Sequence, residues 1–294
     1  MQKKFLPENA VFFITGCSSG FGKELAVEVL KRGYRLVATA RNPARLDYLD
    51  GNGCLCLPCD TTDTTSVQNA VEAAVKHFGH IDVLINNAGV HYGADILQME
   101  YDKLNGLFAT NVTGTITVTR EVLPHMPANG RSTIVNISSA SALSGFDGNL
   151  FYSMTKGAVD VLSSVLKHSK KLNIRAMSVN PGLFKTNIMQ NSLENTDNKE
   201  VNLERLNAGD PHQAAVDILN TIEKRTIPLH LILGANALER CAQVISELKA
   251  DFEYSAKLNS NGKYRPRFIK KLITVFFARK PKYTRILCFK IKRR

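Results

Sequence analysis

Short apolar segments alternate with longer segments of helical periodicity along most of the 294-residue chain. The apolar segments are rich in Val, Ile and small residues, which is typical of strands buried on both faces of a sheet. They cover residues 11–15, 35–40, 54–59, 82–86, 132–137, 174–180 and 229–233. The helical segments cover residues 21–32, 64–78, 99–127, 151–171, 214–224 and 237–258. Strands that alternate with helices indicate βαβ units, so the pattern predicts a single doubly wound α/β domain with a parallel seven-stranded sheet.

We expect this domain to occupy residues 1–260. With 44% apolar residues, the chain can bury a core of that size. Residues 184–210 are polar and rich in Asn and Glu. We expect them to form a mobile substrate loop inserted in the domain, not a linker between two domains.

The net charge of +12 comes from a basic tail, residues 261–294, which contains 13 Lys and Arg and no Asp or Glu. The other 25 basic and 26 acidic residues leave residues 1–260 with a net charge of −1. A tail without acidic residues is not expected to fold independently, so we favour an unstructured appendage. The alternative is a basic amphipathic helix at an anionic membrane surface, and nucleic-acid binding ranks third.

Other features of the sequence predict a cytoplasmic protein, with peripheral membrane association through the tail as an alternative. No run of eighteen apolar residues is present, and the apolar run near the start, 10–14, is too short for a signal peptide. Without a secretory signal, we expect the six cysteines to be reduced thiols. The cluster Cys54, Cys56 and Cys59 fits no zinc spacing well, so we expect no metal.

A glycine-rich segment, TGCSSGFG, follows the first predicted strand and opens the first predicted helix. Gly16, Gly20 and Gly22 permit a tight turn and bring backbone N–H groups close to a pyrophosphate, whose charge the helix N-terminus stabilises. The alternative is a glycine-rich turn without a ligand. The context predicts a dinucleotide site, although the glycine spacing differs from Gly-x-Gly-x-x-Gly.

The end of the second predicted strand bears on which dinucleotide binds. A carboxylate there would bind the ribose 2′-hydroxyl of NAD, but the sequence has Arg41 instead. An arginine can pair with a 2′-phosphate, so NADP(H) is favoured over NAD(H). The alternative is a solvated arginine that opens the next helix.

Several further motifs resemble the short-chain dehydrogenase/reductase family, which implies a Rossmann fold and a nucleotide-dependent oxidoreductase. TGCSSGFG matches TGxxxGxG, NNAG closes the fourth strand, Ser139 lies thirteen residues before Tyr152, and Tyr152 and Lys156 form YxxxK. Two departures are Phe21, where Ile is commoner, and Ser19, where many NADP-preferring members have a basic residue. The resemblance implies a cofactor site that comprises Gly16, Ser18, Ser19, Gly20, Phe21, Gly22, Arg41, Asp60, Asn87, Ala88, Gly89, Tyr152, Lys156, Pro181, Gly182 and Thr186.

The resemblance also implies a catalytic set of Ser139, Tyr152, Lys156 and Asn111. Tyr152 would move a proton at the substrate oxygen, Ser139 would hold that oxygen, and Asn111 would hold a relay water. An ammonium one helical turn away favours a phenolate, so we expect Lys156 to lower the pKa of Tyr152 from about 10. By resemblance, Lys156 would also bind the nicotinamide ribose.

Together these features predict an NADP(H)-dependent carbonyl reductase or alcohol dehydrogenase, expected as a homodimer or homotetramer. Apolar side chains near the predicted site favour a small apolar or aromatic substrate, although the same residues could be core. These candidate substrate residues are Leu143, Phe146, Asn149, Ile188 and Met189. The alternatives are a non-catalytic dinucleotide-binding scaffold that acts through its tail, and a membrane-surface steroid, retinoid or lipid carbonyl reductase.

Overall fold

The computed structural model of the protein describes residues 5–49, 51, 53–145, 148–186, 188 and 208–260. Seven strands form one sheet: β1 Val11–Ile14, β2 Arg35–Ala40, β3 Cys54–Pro58, β4 Val83–Asn86, β5 Thr133–Ile137, β6 Arg175–Pro181 and β7 His230–Leu233. Eight α-helices are described: α1 Gly20–Lys31, α2 Thr64–Phe78, α3 Tyr101–Phe108, α4 Thr115–Val122, α5 Ser141–Ser144, α6 Leu150–His168, α7 Pro211–Ile222 and α8 Ala235–Ser260.

The sheet is parallel throughout, with strand order β3-β2-β1-β4-β5-β6-β7. The order reverses at β1 and β4, and a doubly wound sheet binds its ligands at the carboxyl ends of the strands beside such a point. The predicted single α/β domain with seven parallel strands is therefore confirmed.

Alternate residues of the strands face two separate apolar layers. Phe12 and Ile14 pack with α1 and α7 on one face, whereas Val11 and Phe13 pack with α2 and α4 on the other. Both layers are fully buried around these strands. This arrangement explains why the strands read as continuous apolar segments rather than as alternating ones.

The segment predicted as one helix over 99–127 is not one α-helix. It begins as α3, widens into a π-helix over Ala109–Gly114, continues as α4 and ends in a 3₁₀ turn, Leu123–His125. A π-helical turn inserts one extra residue, and such turns occur frequently at functional sites. Here the inserted turn contains Asn111.

The contacts within the chain divide it between residues 242 and 243, inside α8. The first unit contains the complete sheet, and the described part of the second unit, 243–260, is helical. Most of the predicted substrate loop and the whole basic tail lie outside the described residues. Among the helices that the structure describes, none combines the length and the apolar character needed to cross a membrane.

Candidate active site

A cavity of about 510 Å³ opens at the carboxyl ends of the strands. The glycine loop, the ends of β2 and β3, the NNAG segment, the serine of β5, the tyrosine and lysine of α6, and the segment after β6 all contribute to its wall. The predicted residues in this wall are Gly16, Ser18, Ser19, Gly20, Phe21, Arg41, Asp60, Asn87, Ala88, Gly89, Ser139, Tyr152, Lys156, Pro181, Gly182, Thr186 and Ile188. Gly22 and Asn111 lie directly behind this wall: Gly22 packs against the carbonyl of Gly16, and Asn111 is hydrogen-bonded to Val90.

The glycine loop is shaped for close approach of a ligand to the backbone. Gly16 has φ +72, and a Cβ there would lie 2.9 Å from the Cα of Ala88. A Cβ on Gly22 would lie 2.2 Å from the carbonyl oxygen of Gly16. Ser19, the N-cap of α1, makes no side-chain cap hydrogen bond, so its side chain does not block the first N–H groups of the helix. These N–H groups are therefore suited to bind an anion such as a pyrophosphate.

The NNAG segment is tied to the end of β1. The hydroxyl of Thr15 accepts hydrogen bonds from the backbone N–H groups of Asn87 and Ala88, at 2.9 and 3.0 Å. The Asn87 side chain donates to the carbonyls of Thr15 and Gly16. The phosphate loop and the wall that follows β4 are consequently one rigid unit.

Arg41, Arg45 and Asp60 line the end of the cavity beyond β2 and β3. Burial acts to raise the pKa of Asp60, but two hydrogen bonds from Thr62 and the charge of Arg41 outweigh it and lower that pKa below its ordinary value. Arg45 follows Arg41 by one short helical turn, Pro43–Leu46. The sequence pattern did not reveal Arg45, because only the turn brings it back to the cavity.

The two adjacent serines at the end of β5 have different environments. Ser138 is buried and donates its hydroxyl hydrogen to the carbonyl of Lys156. The hydroxyl of Ser139 accepts a hydrogen bond from the Ser141 hydroxyl at 2.9 Å and is hydrogen-bonded to Tyr152. Ser139 is therefore the serine that faces the tyrosine.

Tyr152 is a neutral phenol in this site. Burial raises the pKa of Tyr152 to about 12, although the hydrogen bond with Ser139 acts in the opposite direction. The expectation that Lys156 lowers this pKa is therefore wrong. The Lys156 Nζ lies 5.6 Å from the centroid of the Tyr152 ring and donates a hydrogen bond at 2.8 Å to the carbonyl of Ile137. Burial therefore determines the direction of the Tyr152 pKa shift.

Lys156 is 5% exposed, and burial lowers its pKa to about 8, while the negative charge of Asp160 raises it. A Cβ on Gly89 would lie 3.5 Å from the Lys156 Nζ and 3.3 Å from the Asn111 side-chain oxygen. The amine thus reaches the floor of the cavity between NNAG and the π-helix. Its charge is kept at neutral pH but is lost under mildly alkaline conditions.

Asn111 bridges three segments of the chain. Its Oδ1 accepts from the Val90 N–H at 2.9 Å, and its Nδ2 donates to the Val90 carbonyl and to the Thr155 hydroxyl. Its own carbonyl accepts from the Thr115 hydroxyl. Both amide hydrogens are therefore occupied, so a water could bind this side chain only by donating to Oδ1.

The segment after β6 closes the cavity against the glycine loop. A Cβ on Gly182 would lie 2.2 Å from the side-chain oxygen of Asn236, and a Cβ on Gly20 would lie 3.4 Å from Thr186. Phe21 packs against Phe184, with ring centroids 5.1 Å apart. This contact accounts for the aromatic residue between Gly20 and Gly22.

His91 is a further residue of the site that the sequence pattern did not single out. Its ring centroid lies 5.0 Å from that of Tyr152, and its Nε2 lies 2.5 Å from the side-chain oxygen of Asn149. Among the candidate substrate residues, Asn149 contacts His91, Ile188 lines the cavity, and Leu143 is a partly buried residue of α5. Phe146 and Met189 lie outside the described residues.

The cysteines in the described residues are all free thiols. Cys54 and Cys56 have sulfur atoms 3.7 Å apart on β3, and burial raises the pKa of Cys54 to about 12 and that of Cys59 to about 11. High pKa values disfavour the thiolate that binds metals. Within the described part of the chain, no group of three or more His, Cys, Asp or Glu side chains is arranged to hold a metal.

Fold and site together define the class of doubly wound oxidoreductases that use a nicotinamide dinucleotide. The chain belongs to the short chain dehydrogenase family, whose profile matches residues 10–197. It is 31% identical over 292 residues to oxidoreductase calM of Penicillium decumbens, covering 90% of this chain and 96% of the relative. It is 33% identical over 189 residues to the NADP-dependent 3-hydroxy acid dehydrogenase of Schizosaccharomyces pombe, covering 61% and 73% of the two chains.

A solved structure supports the same assignment. A short-chain dehydrogenase from Streptomyces avermitilis is 28% identical and superposes with a TM-score of 0.77, covering 87% of this chain and 100% of that chain.

Proposed function

We propose that the protein interconverts a carbonyl compound and a primary or secondary alcohol with NADP(H), and that Tyr152 transfers the proton. The observation that carries this proposal is that Ser139, Tyr152 and Lys156 share one cavity with the uncapped N-terminus of α1. A proton donor, a polarising hydroxyl and a buried cation beside a dinucleotide site are the groups that carbonyl reduction needs.

The residues of the chain have separable roles in the proposed reaction. Because its pKa is raised to about 12, Tyr152 holds its proton at neutral pH and donates it to the substrate oxygen during reduction. Ser139 donates a hydrogen bond to the same oxygen. The buried ammonium of Lys156 offsets the negative charge that remains on Tyr152. Asn111 fixes the position of the wall segment through Val90.

The residues present fit the cofactor. When bound, the nicotinamide supplies the hydride for reduction or accepts it in oxidation. Gly16, Gly20 and Gly22 leave room for its pyrophosphate, and Lys156 would hold its ribose. Asp60 would contact the adenine, and the segment Pro181–Thr186 would hold the carboxamide.

Preference for NADP(H) over NAD(H) is supported by charge. Arg41 and Arg45 are both exposed at the end of the cavity where β2 and β3 end, and no carboxylate follows β2 directly. A pair of guanidinium groups matches a 2′-phosphate. The related S. pombe enzyme is named as NADP-dependent.

The substrate and partner proposals rest on the surroundings of Tyr152. Val90, Leu183, Phe184 and Ile188 line the same cavity, and their apolar side chains favour a small apolar or aromatic carbonyl compound. We further propose a homo-oligomer that works in the cytoplasm, a reducing compartment consistent with free thiols. A purely binding scaffold remains the alternative, and the catalytic set argues against it.

The test compares full-length wild type with Tyr152→Phe in a panel of carbonyl probes with NADPH. The panel contains 9,10-phenanthrenequinone, acetophenone, cinnamaldehyde and a steroid ketone, with glucose as the polar control. We expect wild type to reduce at least one apolar probe. Loss of the proton donor should lower kcat by about 10²- to 10⁴-fold. The Kd for NADPH should change far less, because the substitution removes only the phenolic hydroxyl from the cofactor site.

Tyr101→Phe is the matched control, because Tyr101 is 71% exposed and does not line the cavity. Equal turnover by wild type and Tyr152→Phe would refute the proposed proton transfer. Binding of NADPH without turnover of any carbonyl would instead favour the scaffold.

A further inference from the structure

A buried carboxylate lies one helical turn beyond Lys156. Asp160 is on α6, and its side chain is 9% exposed. Asp160 accepts hydrogen bonds from the Ser178 hydroxyl and from the Asn180 amide, whose Nδ2 lies 2.9 Å from Oδ2. None of the catalytic roles above uses this residue.

The amide of Asn180 connects this carboxylate to the catalytic serine. Its Nδ2 also donates to the main-chain carbonyl of Ser139 at 3.0 Å. Asn180 is fully buried on β6. A single side chain therefore joins Ser139 to the helix that bears Tyr152 and Lys156.

Within the described residues, the titratable groups that face Asp160 come from three elements. Lys156 lies four positions before Asp160, and both are buried on the same face of α6. The charge of Asp160 acts to raise the pKa of that lysine. From β7, the Nδ1 of His230 lies 3.7 Å from the Asp160 Oδ2. From α8, Cys241 is close enough that the negative charge of Asp160 acts to raise its pKa. β6 contributes only the neutral side chains of Ser178 and Asn180.

We propose that Asp160 is a positioning residue of the reaction: its negative charge keeps Lys156 as an ammonium in a buried site, and through Asn180 it fixes the main chain at Ser139. A buried lysine without a nearby carboxylate tends to lose its proton. Only the consequence for turnover rests on the proposed function. The charge relation between the two side chains stands independently of it.

The test follows the titration of Lys156 by NMR in full-length protein labelled with ¹³C at the lysine Cε, with Lys156→Arg to assign the signal. In Asp160→Asn we expect the titration midpoint of Lys156 to fall by about one pH unit relative to wild type. Asp160→Glu retains the charge and should keep the wild-type midpoint. Asp217→Asn is the matched control, since Asp217 is a helical carboxylate on α7 whose hydrogen bond to Gln213 is exposed.

The same variants are then assayed with whichever carbonyl probe wild type reduces. The alkaline limb of the kcat/KM profile should move to lower pH in Asp160→Asn by the same amount as the NMR midpoint. Asn180→Ala retains both charges, so it should lower kcat without moving the midpoint.

An unchanged Lys156 midpoint in Asp160→Asn would overturn the proposal. If that variant does not fold, Asp160→Ser provides the neutral side chain. If wild type reduces no probe, the proposed function fails, but the NMR midpoints still decide the present inference.

Discussion

At the scale of single residues, the proposed preference for NADP(H) depends on Arg41 and Arg45, which line the cavity. Hydrogen bonds to a charged group contribute about 1.5–3 kcal/mol, so replacing either arginine by alanine should weaken NADPH binding about tenfold or more. NADH binding should change little, because NADH lacks the 2′-phosphate. The measurement is a fluorescence titration of both nucleotides on wild type, each single variant and the double variant.

Lys76→Ala is the control for this titration, because Lys76 is exposed on α2 and does not line the cavity. A double variant that still prefers NADPH would show that the two arginines do not bind its 2′-phosphate.

The spacing of residues in the sequence predicted which of them share the candidate active site, but it did not predict the direction of their pKa shifts. The distance of thirteen residues from Tyr152 selected Ser139 over Ser138, and the hydrogen bonds place Ser139 beside the tyrosine. The direction of the Tyr152 pKa shift depends on burial by side chains distant in sequence, which a local motif does not encode. His91 was missed for a similar reason, since its contact with Tyr152 joins residues sixty-one positions apart.

At the scale of elements, the proposed cofactor site depends on the turn from β1 into α1. In Gly22→Ala the new methyl group would lie 2.2 Å from the carbonyl of Gly16, so the loop must move. We expect NADPH affinity to fall at least tenfold, because backbone N–H groups displaced from the pyrophosphate lose their hydrogen bonds. Isothermal titration of the folded variant measures this.

Gly157→Ala serves as the matched control for that experiment. Gly157 also lies within a helix, α6, but a Cβ there meets nothing within 4 Å in the chain. NADPH affinity should therefore be unchanged. Equal affinity in both variants would mean that close packing at Gly22 is not required for binding.

Elements with strong periodicity were predicted well, and α2 was predicted to the residue. The strands agree within about one residue at each end, because runs of buried apolar residues have abrupt limits. The π-helix over Ala109–Gly114 was not predicted. One extra residue in a turn shifts the apolar pattern only slightly, so residues 99–127 still read as one helix.

At the scale of the whole molecule, α6 has one face towards the cavity and an opposite face that is exposed and apolar. Met154, Val161 and Val165 are 52%, 64% and 63% exposed. At about 100° per residue, they form one stripe that lies roughly opposite Tyr152 and Lys156. We expect this stripe to contact a second copy of the chain, because an exposed apolar stripe favours association.

Val161→Asp should therefore shift the protein towards a monomer in size-exclusion chromatography with light scattering. Val161→Ala is the conservative comparison and should retain the oligomer. A wild-type protein that is already monomeric at micromolar concentration would contradict the expectation. So would an oligomer that is unaffected by the charge.

The global architecture followed from the sequence, because alternation of strands and helices restricts the topology to very few choices. The position of the cavity could also be predicted from the sequence, since the parallel strands end at one edge of the sheet and bring the predicted motifs together there. The charge network around Asp160 could not be predicted, because it depends on β6, β7 and α8 meeting α6 in three dimensions.

The position of α7 has a consequence for protein synthesis. Every proposed catalytic and cofactor-binding residue has been translated once Thr186 is added to the chain. The apolar layer over α1 is still incomplete at that stage, since Ala215, Ile218 and Leu219 of α7 have yet to be made. A ribosome-bound chain of that length therefore contains all the proposed catalytic and cofactor-binding residues but lacks a complete apolar core. We therefore expect activity only after the later segments, which contribute none of those residues, have packed against the sheet.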